Sequence, residues 1–293
     1  MDRRKFIGLS TMSIAFASLG LLKPLFENEN QDGKLFPTLF VGHGSPINAI
    51  EQNEFSDKWK KITSDFETPK AIICISAHWL TRGTFVTAME MPKTIHDFGG
   101  FPKALFDVQY PAPGSLDVAH WTKESIKSAN VLEDNEWGLD HGTWSVLRNM
   151  YPEATIPVIQ LSIDYTKPLS YHFQLAQELK ALRKKGVLII GSGNMVHNLG
   201  MVAWDKINSP GFGFDWTLEI DTVFKQKIES RDYQSLINWS SLHNQISLAI
   251  PTLDHYIPLI YSVGLSDKQD EISFFNDKAI AGSLTMTSVQ FGV

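Results

Sequence analysis

Residues 71–79 read AIICISAHW, and this stretch decides the fold. A continuous apolar run of strand length, with no polar alternation, is what a β-strand buried on both faces requires. Such strands belong to sheets covered by helices on both sides. Working outward, PTLFVG at 37–42 is a second such run, and it stops in a turn at His43-Gly44-Ser45-Pro46. VLIIGSGNMVHN at 187–198 repeats the theme of apolar strand, Gly-rich turn and histidine. TIPVIQLSI at 155–163 is another buried strand, GTFVTAME at 83–90 a further one, and SLTMTSVQFG at 283–292 the last. Between them, helical patterns cover residues 54–66, 116–130, 142–150, 168–186, 215–229 and 240–249, the 168–186 segment being amphipathic and closed by Gly186. The alternation predicts an α/β fold: a single domain with a central mixed sheet covered by helices.

The chain has 293 residues, with 26 Lys and Arg against 32 Asp and Glu, for a net charge of −6. No basic stripe accompanies that balance, which argues against nucleic acid and for a small-molecule partner. The single cysteine, Cys74, lies inside the apolar run. It excludes an intramolecular disulfide and a Cys-based zinc ribbon, and reads as a buried strand residue. At the N-terminus, Arg3-Arg4 precedes an apolar stretch from Ile7 to about Leu22, which resembles a twin-arginine export signal. The stretch carries Ser10, Thr11, Ser13 and Ser18 and is short for a membrane span, which needs about 20 residues. Ala15-Phe16-Ala17 has a small-x-small pattern but lies within the apolar run, so cleavage and retention both stay open. Residues 23–35 read as a polar linker. The expectation is therefore a signal and linker over 1–33, a catalytic domain over 34–293 with no membrane span in the mature protein, and a periplasmic or otherwise exported location. The alternative is a frayed basic N-terminus on a cytoplasmic protein.

Histidine is the commonest metal ligand, and an α/β enzyme assembles open metal sites from ligands at the carboxyl ends of strands. His43 and His78 directly follow two predicted strands, and His197 follows a third after a Gly-rich turn. His255 sits beside Pro251 and Pro258, a context that predicts a loop, with Asp254 available to hydrogen bond a ligand imidazole. His141, in GLDHGTW, is a companion to these four. His120, His172 and His243 lie in helical, polar surroundings and receive no role. GSGNMVHN lacks the GxGxxG and GK[ST] spacings, and no GxSxG or HExxH occurs, so dinucleotide, P-loop and two common hydrolase readings fall away.

Taken in order, GHGSP at 42–46, SAHW at 76–79, HDFGGFP at 96–102, YPAPG at 110–114, DHGTW at 140–144, GSGNMVHNLG at 191–200, DHYIPL at 254–259 and the terminal GSLTMTSVQFG are similar to the class III extradiol ring-cleavage dioxygenases. The resemblance is to their 4,5-DOPA dioxygenase-like family and spans about residues 36–293. It implies a single α/β domain and a metal held by His43 and His78, with His255 in the third position, where related enzymes use a carboxylate. It implies for His197 either a fourth ligand, when zinc fills the site, or the acid/base residue, when iron does. It places His141 in the substrate pocket, as a second candidate for proton transfer.

The chemistry implied is insertion of O₂ into the ring of a catechol to give a ring-opened semialdehyde. Three protein ligands leave room on the metal for both catechol oxygens and O₂, and Fe(II) can exchange electrons where Zn(II), an alternative occupant, cannot. A neutral imidazole can take and return the protons. His96, Phe98 and Ser45 are candidates for substrate binding, His96 toward a substrate carboxylate and Ser45 by a hydrogen bond near the metal. Phe101, Tyr110 and Trp79 are equally well explained as packing. Two other classes use the same residues: a non-catalytic metal- or ligand-binding protein on this fold, and a zinc hydrolase with a metal-activated water.

Overall fold

The computed structural model describes residues 35–207 and 209–292. The expected signal over 1–33 lies outside the described residues. Among the described residues, six strands form the central sheet: β1 (Thr38–Gly42), β2 (Ala71–Ser76), β3 (Val158–Gln160), β4 (Val187–Gly193), β5 (Ile272–Phe275) and β6 (Ser288–Phe291). Their order is β3-β2-β4-β1-β6-β5. The first four are mutually parallel, while β6 runs antiparallel to both β1 and β5, so the sheet is mixed.

Successive residues of a strand point to opposite faces, and here both faces are covered. Phe40, Ile73, Ile75, Val187 and Ile189 point into one core, and Leu39, Val41, Ile72, Cys74, Leu188 and Ile190 into the other. Helix α1 (Glu54–Ile62) and helix α3 (His141–Met150) close the second core through Phe55, Trp59, Ile62, Trp144 and Leu147. The first is closed by α2 (Leu116–Ser125), α4 (Leu169–Arg183), α5 (Asp215–Glu229) and α6 (Ile257–Leu265). Each fully buried aliphatic side chain contributes about 1.5–3 kcal/mol, so the two-sided burial explains the unbroken apolar runs.

Several elements depart from the sequence reading. The helix expected over 116–130 ends at Ser125, because the Glu178 carboxylate on α4 takes the next free backbone N–H groups, those of Lys127 and Ser128, at 2.6 and 3.1 Å. Val131–Asp134 then forms an unanticipated strand paired with Thr84–Thr87, the core of the expected 83–90 strand. The 240–249 helix shrinks to two single turns, Trp239–Ser241 and Ile246–Ala249, and the terminal strand breaks into Leu284–Thr285 and β6. His255 lies in the loop expected of it, which ends where α6 begins at Ile257. Pro258 occupies the first turn, where its missing N–H has no intrahelical partner to lose. His172 is helical as expected, but its surroundings are not polar: it is fully buried on α4, with Nδ1 3.2 Å from the Tyr261 hydroxyl on α6. Among the described residues, no helix is long and apolar enough to cross a membrane.

Candidate active site

Strand β4 gathers the site. It lies between β1 and β2, and its last carbonyls hold both neighbours' exits: His43 N–H donates to Gly193 O at 3.1 Å and Ala77 N–H to Ser192 O at 2.9 Å. His43 and His78 are thereby set side by side at the carboxyl end of the sheet. The same strand fixes His255. Its carbonyl accepts from Asn194 N–H at 3.0 Å, and a Cβ on Gly193 would lie 2.2 Å from that carbonyl oxygen, so only glycine permits the approach. His197, four residues past β4, donates its backbone N–H to Ala249 O at 2.9 Å. His141 is the first residue of α3, whose N-cap is Asp140; the Asp140 carboxylate accepts from Thr143 N–H at 3.1 Å and Ser76 Oγ at 2.7 Å. Gly142 completes this junction, since a Cβ there would meet Ser76 Oγ at 2.5 Å and His78 Cδ2 at 2.9 Å.

The five histidines proposed from the sequence for metal binding or proton transfer meet in one cluster. Ring centres lie 5.0 Å apart for His43 and His78, 5.2 Å for His43 and His255, and 5.1 Å for His78 and His255. His141 packs 3.8 Å from His78, and His197 stacks on His255 at 3.6 Å with an interplanar angle of 8°.

Three of the rings have an assigned proton. Ser192 Oγ donates to Gly142 O at 2.6 Å, which uses its one hydrogen, so its contact with His43 Nδ1 at 3.0 Å must be donated by the imidazole. His255 Nδ1 donates to Asp254 Oδ2 at 2.7 Å and His141 Nδ1 to Asp97 Oδ2 at 2.9 Å, since an ionised carboxylate can only accept. In all three, Nε2 keeps a free lone pair. His78 Nε2 lies 3.2 Å from His43 Nε2, and His78 Nδ1 lies 3.5 Å from Asp97 Oδ2.

The protonation states suit a cation. Burial, then the neighbouring histidines, push His43 and His78 well below 6.5; the Asp97 charge opposes this at His78 without reversing it. Burial and then His255 push His197 down to about 3. Burial pushes the carboxyls of Asp97 and Asp254 up, but the hydrogen bonds they accept, from His141 and His255 respectively, outweigh it and hold both low. Neutral imidazoles beside ionised carboxylates are the donor arrangement of metal-binding histidines.

Nitrogen proximity and ring spacing favour different three-histidine sets: the nitrogens of His43, His78 and His141 all lie within 4.8 Å of one another, whereas the His43, His78 and His255 rings are evenly spaced. Ring spacing decides between them. An ion about 2.1 Å from a ring nitrogen lies about 3.2 Å from the ring centre, so two ligand rings at about 90–110° have centres about 4.5–5.2 Å apart. The His43, His78 and His255 triangle meets that condition on every side. His141, at 3.8 Å from His78, and His197, at 3.6 Å from His255, are too close for their in-plane lone pairs to converge with those neighbours on one ion.

The remaining candidates divide. Phe98 stands edge to face with His141 at 5.6 Å and belongs to the cluster's rim. His96 is not brought to the cluster: its Nε2 meets Val108 O at 3.0 Å and its ring packs among Phe98, Phe106 and Trp144. Ser45 Oγ accepts from Ile47 N–H at 3.4 Å, capping a short 3₁₀ turn (Pro46–Ala49) and not bonding to His43. Trp79 and Tyr110 are buried packing residues. Asp97 and Ser192 were not foreseen, although both lie inside quoted motifs; an acidic residue beside a His and Phe in HDFGGFP is the signal that points to Asp97.

A family model described as the catalytic LigB subunit of aromatic ring-opening dioxygenase matches residues 37–288. The 4,5-DOPA dioxygenase extradiol of Escherichia coli K12 is 43% identical over 275 residues, covering 92% of this chain and 100% of its own. The protein of the same name from Beta vulgaris is 33% identical, covering 87% of this chain and 96% of its own. The crystal structure of an uncharacterized Escherichia coli K12 protein superimposes with a TM-score of 0.76 at 39% identity, over 88% of this chain and 100% of that one. The chain therefore belongs to the LigB family of aromatic ring-opening dioxygenases, in its 4,5-DOPA extradiol dioxygenase-like branch, and is a metal-dependent, oxygen-incorporating oxidoreductase.

Proposed function

We propose that the enzyme opens the ring of a catechol, DOPA-like in kind, by an extradiol reaction that adds both atoms of O₂ and yields a semialdehyde. The metal is held by His43, His78 and His255. The equilateral spacing of those three rings is the observation that carries this assignment. Ferrous iron in that position supplies the electron exchange between catecholate and O₂ that redox-inert zinc does not.

The chain's own residues do the rest. Ser192 and Asp254 hold His43 and His255 with Nε2 turned to the ion by occupying Nδ1. His197 is the first proton carrier: its stacking on His255 keeps it out of the ligand set and leaves its ring nitrogens free to take a catechol proton and return it later. His141, with Nδ1 tied to Asp97, offers Nε2 as the second. Phe98, at the rim, contacts the substrate ring. The twin-arginine-like N-terminus further supports export of the folded enzyme, to be tested by fractionating cells that express the wild-type protein and an Arg3→Lys, Arg4→Lys variant.

The decisive test is to load signal-less protein anaerobically with Fe(II) or Zn(II), add a panel of catechols, and follow O₂ uptake together with yellow product. Uptake with iron alone is the expected result. Iron-loaded protein that consumes no O₂ with any catechol refutes the assignment.

A further inference from the structure

We propose that Asp97 is a positioning residue that couples the aromatic 96–101 loop to the metal centre by holding His141 in one tautomer and supporting the ligand His78. Its carboxylate has two tasks on one partner. Oδ1 accepts the backbone N–H of His141 at 2.9 Å, at the first turn of α3, and Oδ2 accepts the same residue's Nδ1–H at 2.9 Å. Backbone and ring of His141 are thus fixed together, with Nε2 directed away from Asp97 as an acceptor. The same Oδ2 lies 3.5 Å from His78 Nδ1. A histidine that binds an ion through Nε2 carries its proton on Nδ1, and among the described residues the carboxylate facing that atom is Asp97. The side chain is 18% exposed, so these contacts sit at the edge of the site and not deep within it.

Asp97 lies between His96, tied to Val108, and Phe98, whose ring stands 5.6 Å from His141 and 5.4 Å from Phe101. Movement of the aromatic loop therefore cannot leave His141 and His78 unaffected, which makes Asp97 the link between the residues that meet the aromatic substrate and those that hold the metal. This inference rests on reading the five-histidine cluster as the catalytic centre.

Asp97→Asn separates the two roles of the carboxylate. The asparagine oxygen can still accept from the His141 backbone, but its amide then presents N–H to Nδ1, which favours the opposite tautomer. The experiment uses zinc-loaded protein labelled with ¹⁵N-histidine, the His141 signals being assigned by their loss in His141→Phe. Wild type is expected to show His141 protonated at Nδ1 and bare at Nε2, and Asp97→Asn the reverse. Zinc affinity, measured by chelator competition, is expected to fall about 10- to 100-fold in the variant. A wild-type His141 protonated at Nε2, or a tautomer unchanged in Asp97→Asn, overturns the positioning role; unchanged zinc affinity overturns the support of His78. If the variant does not fold, the wild-type tautomer alone decides. Neither readout needs turnover, so absence of O₂ uptake by iron-loaded wild type would refute the catechol reaction while leaving this result standing.

Discussion

His197 and His255 lie in ring contact, yet their replacement by alanine should have opposite consequences for metal binding. The rings are 8° from parallel with centres 3.6 Å apart. A ring-nitrogen lone pair lies in the ring plane, so two such lone pairs run side by side and cannot both point at an ion about 2.1 Å away. With centres at 3.6 Å, both rings could bind one ion only at an angle of about 70°, well under the roughly 90–110° that tetrahedral and octahedral sites use. His255 satisfies the spacing with His43 and His78, and His197 is left outside.

Structural zinc sites with four protein ligands bind with about 10–16 kcal/mol, or about 2.5–4 kcal/mol per ligand. His255→Ala should therefore weaken zinc binding by about 10²- to 10³-fold, since 1.4 kcal/mol is about tenfold. His197→Ala removes a stacking neighbour and no metal bond, so its affinity should stay within about tenfold of wild type, the lower end of the effect of losing a supporting contact. The assay is competition with a chromogenic chelator for Zn(II), which avoids iron oxidation and needs no substrate. Iron-loaded His197→Ala should then lose turnover while retaining iron. Equal loss of zinc in both variants would establish four-histidine coordination and refute the argument from ring planes.

Three further outcomes follow from the same structure. Gly193→Ala puts a methyl 2.2 Å from the His255 carbonyl oxygen; it should cost about 1–3 kcal/mol in urea denaturation and weaken zinc binding, and unaltered affinity would show that β4 does not set His255. Arg183 is fully buried, pairs with Asp270 at 2.8 and 3.0 Å, and donates to the carbonyls of Phe36 and Leu265. Arg183→Met strands the Asp270 charge and should cost about 3–5 kcal/mol, seen as a large fall in Tm. The metal-free protein should lose stability in acid. His43, His78 and His197 resist protonation when folded, with His197 down to about 3, whereas in the unfolded chain they take protons below about 6.5. The unfolded state binds more protons throughout that window, so stability present above pH 6.5 is lost as pH falls toward 3. Each group contributes up to about 1.4 kcal/mol per pH unit, and the drop between pH 7.5 and 5.5 should be about 4 kcal/mol. A flat urea midpoint over that range would mean the three rings are solvated.

What the sequence made legible is what local pattern controls. The apolar runs of β1, β2 and β4 could only be buried strands, and the histidines at their exits had nowhere to go but the carboxyl edge of the sheet. The long helix over 215–229 was equally plain, since its buried Trp216, Ile220, Phe224 and Ile228 repeat at helical spacing. The rest depended on partners distant in the chain. Pro258 reads as part of the loop that carries His255 until α6 starts one residue before it, and the polar context of His172 gives no sign that Tyr261, 89 positions on, covers it. Ser45 and His96 sit in suggestive motifs but spend their polar atoms on a cap and a loop carbonyl, as tertiary packing dictates.

The residues that tune the site show the same limit more sharply. Nothing local marks Ser192 as the group that selects a tautomer for His43; that role exists because its hydrogen goes to Gly142, 50 positions away, leaving only a lone pair for the imidazole. Asp97 acquires its role from His141, 44 positions on. A list of candidate ligands can thus be read from strand ends, but whether a given imidazole holds a metal or moves a proton is set by which of its nitrogens is already engaged and by the angle between ring planes. Here that distinction rests on two measurable quantities, the 8° stacking of His197 on His255 and the Nδ1 partners of His43, His141 and His255. If those partners were exchanged, the same five histidines would describe a different centre.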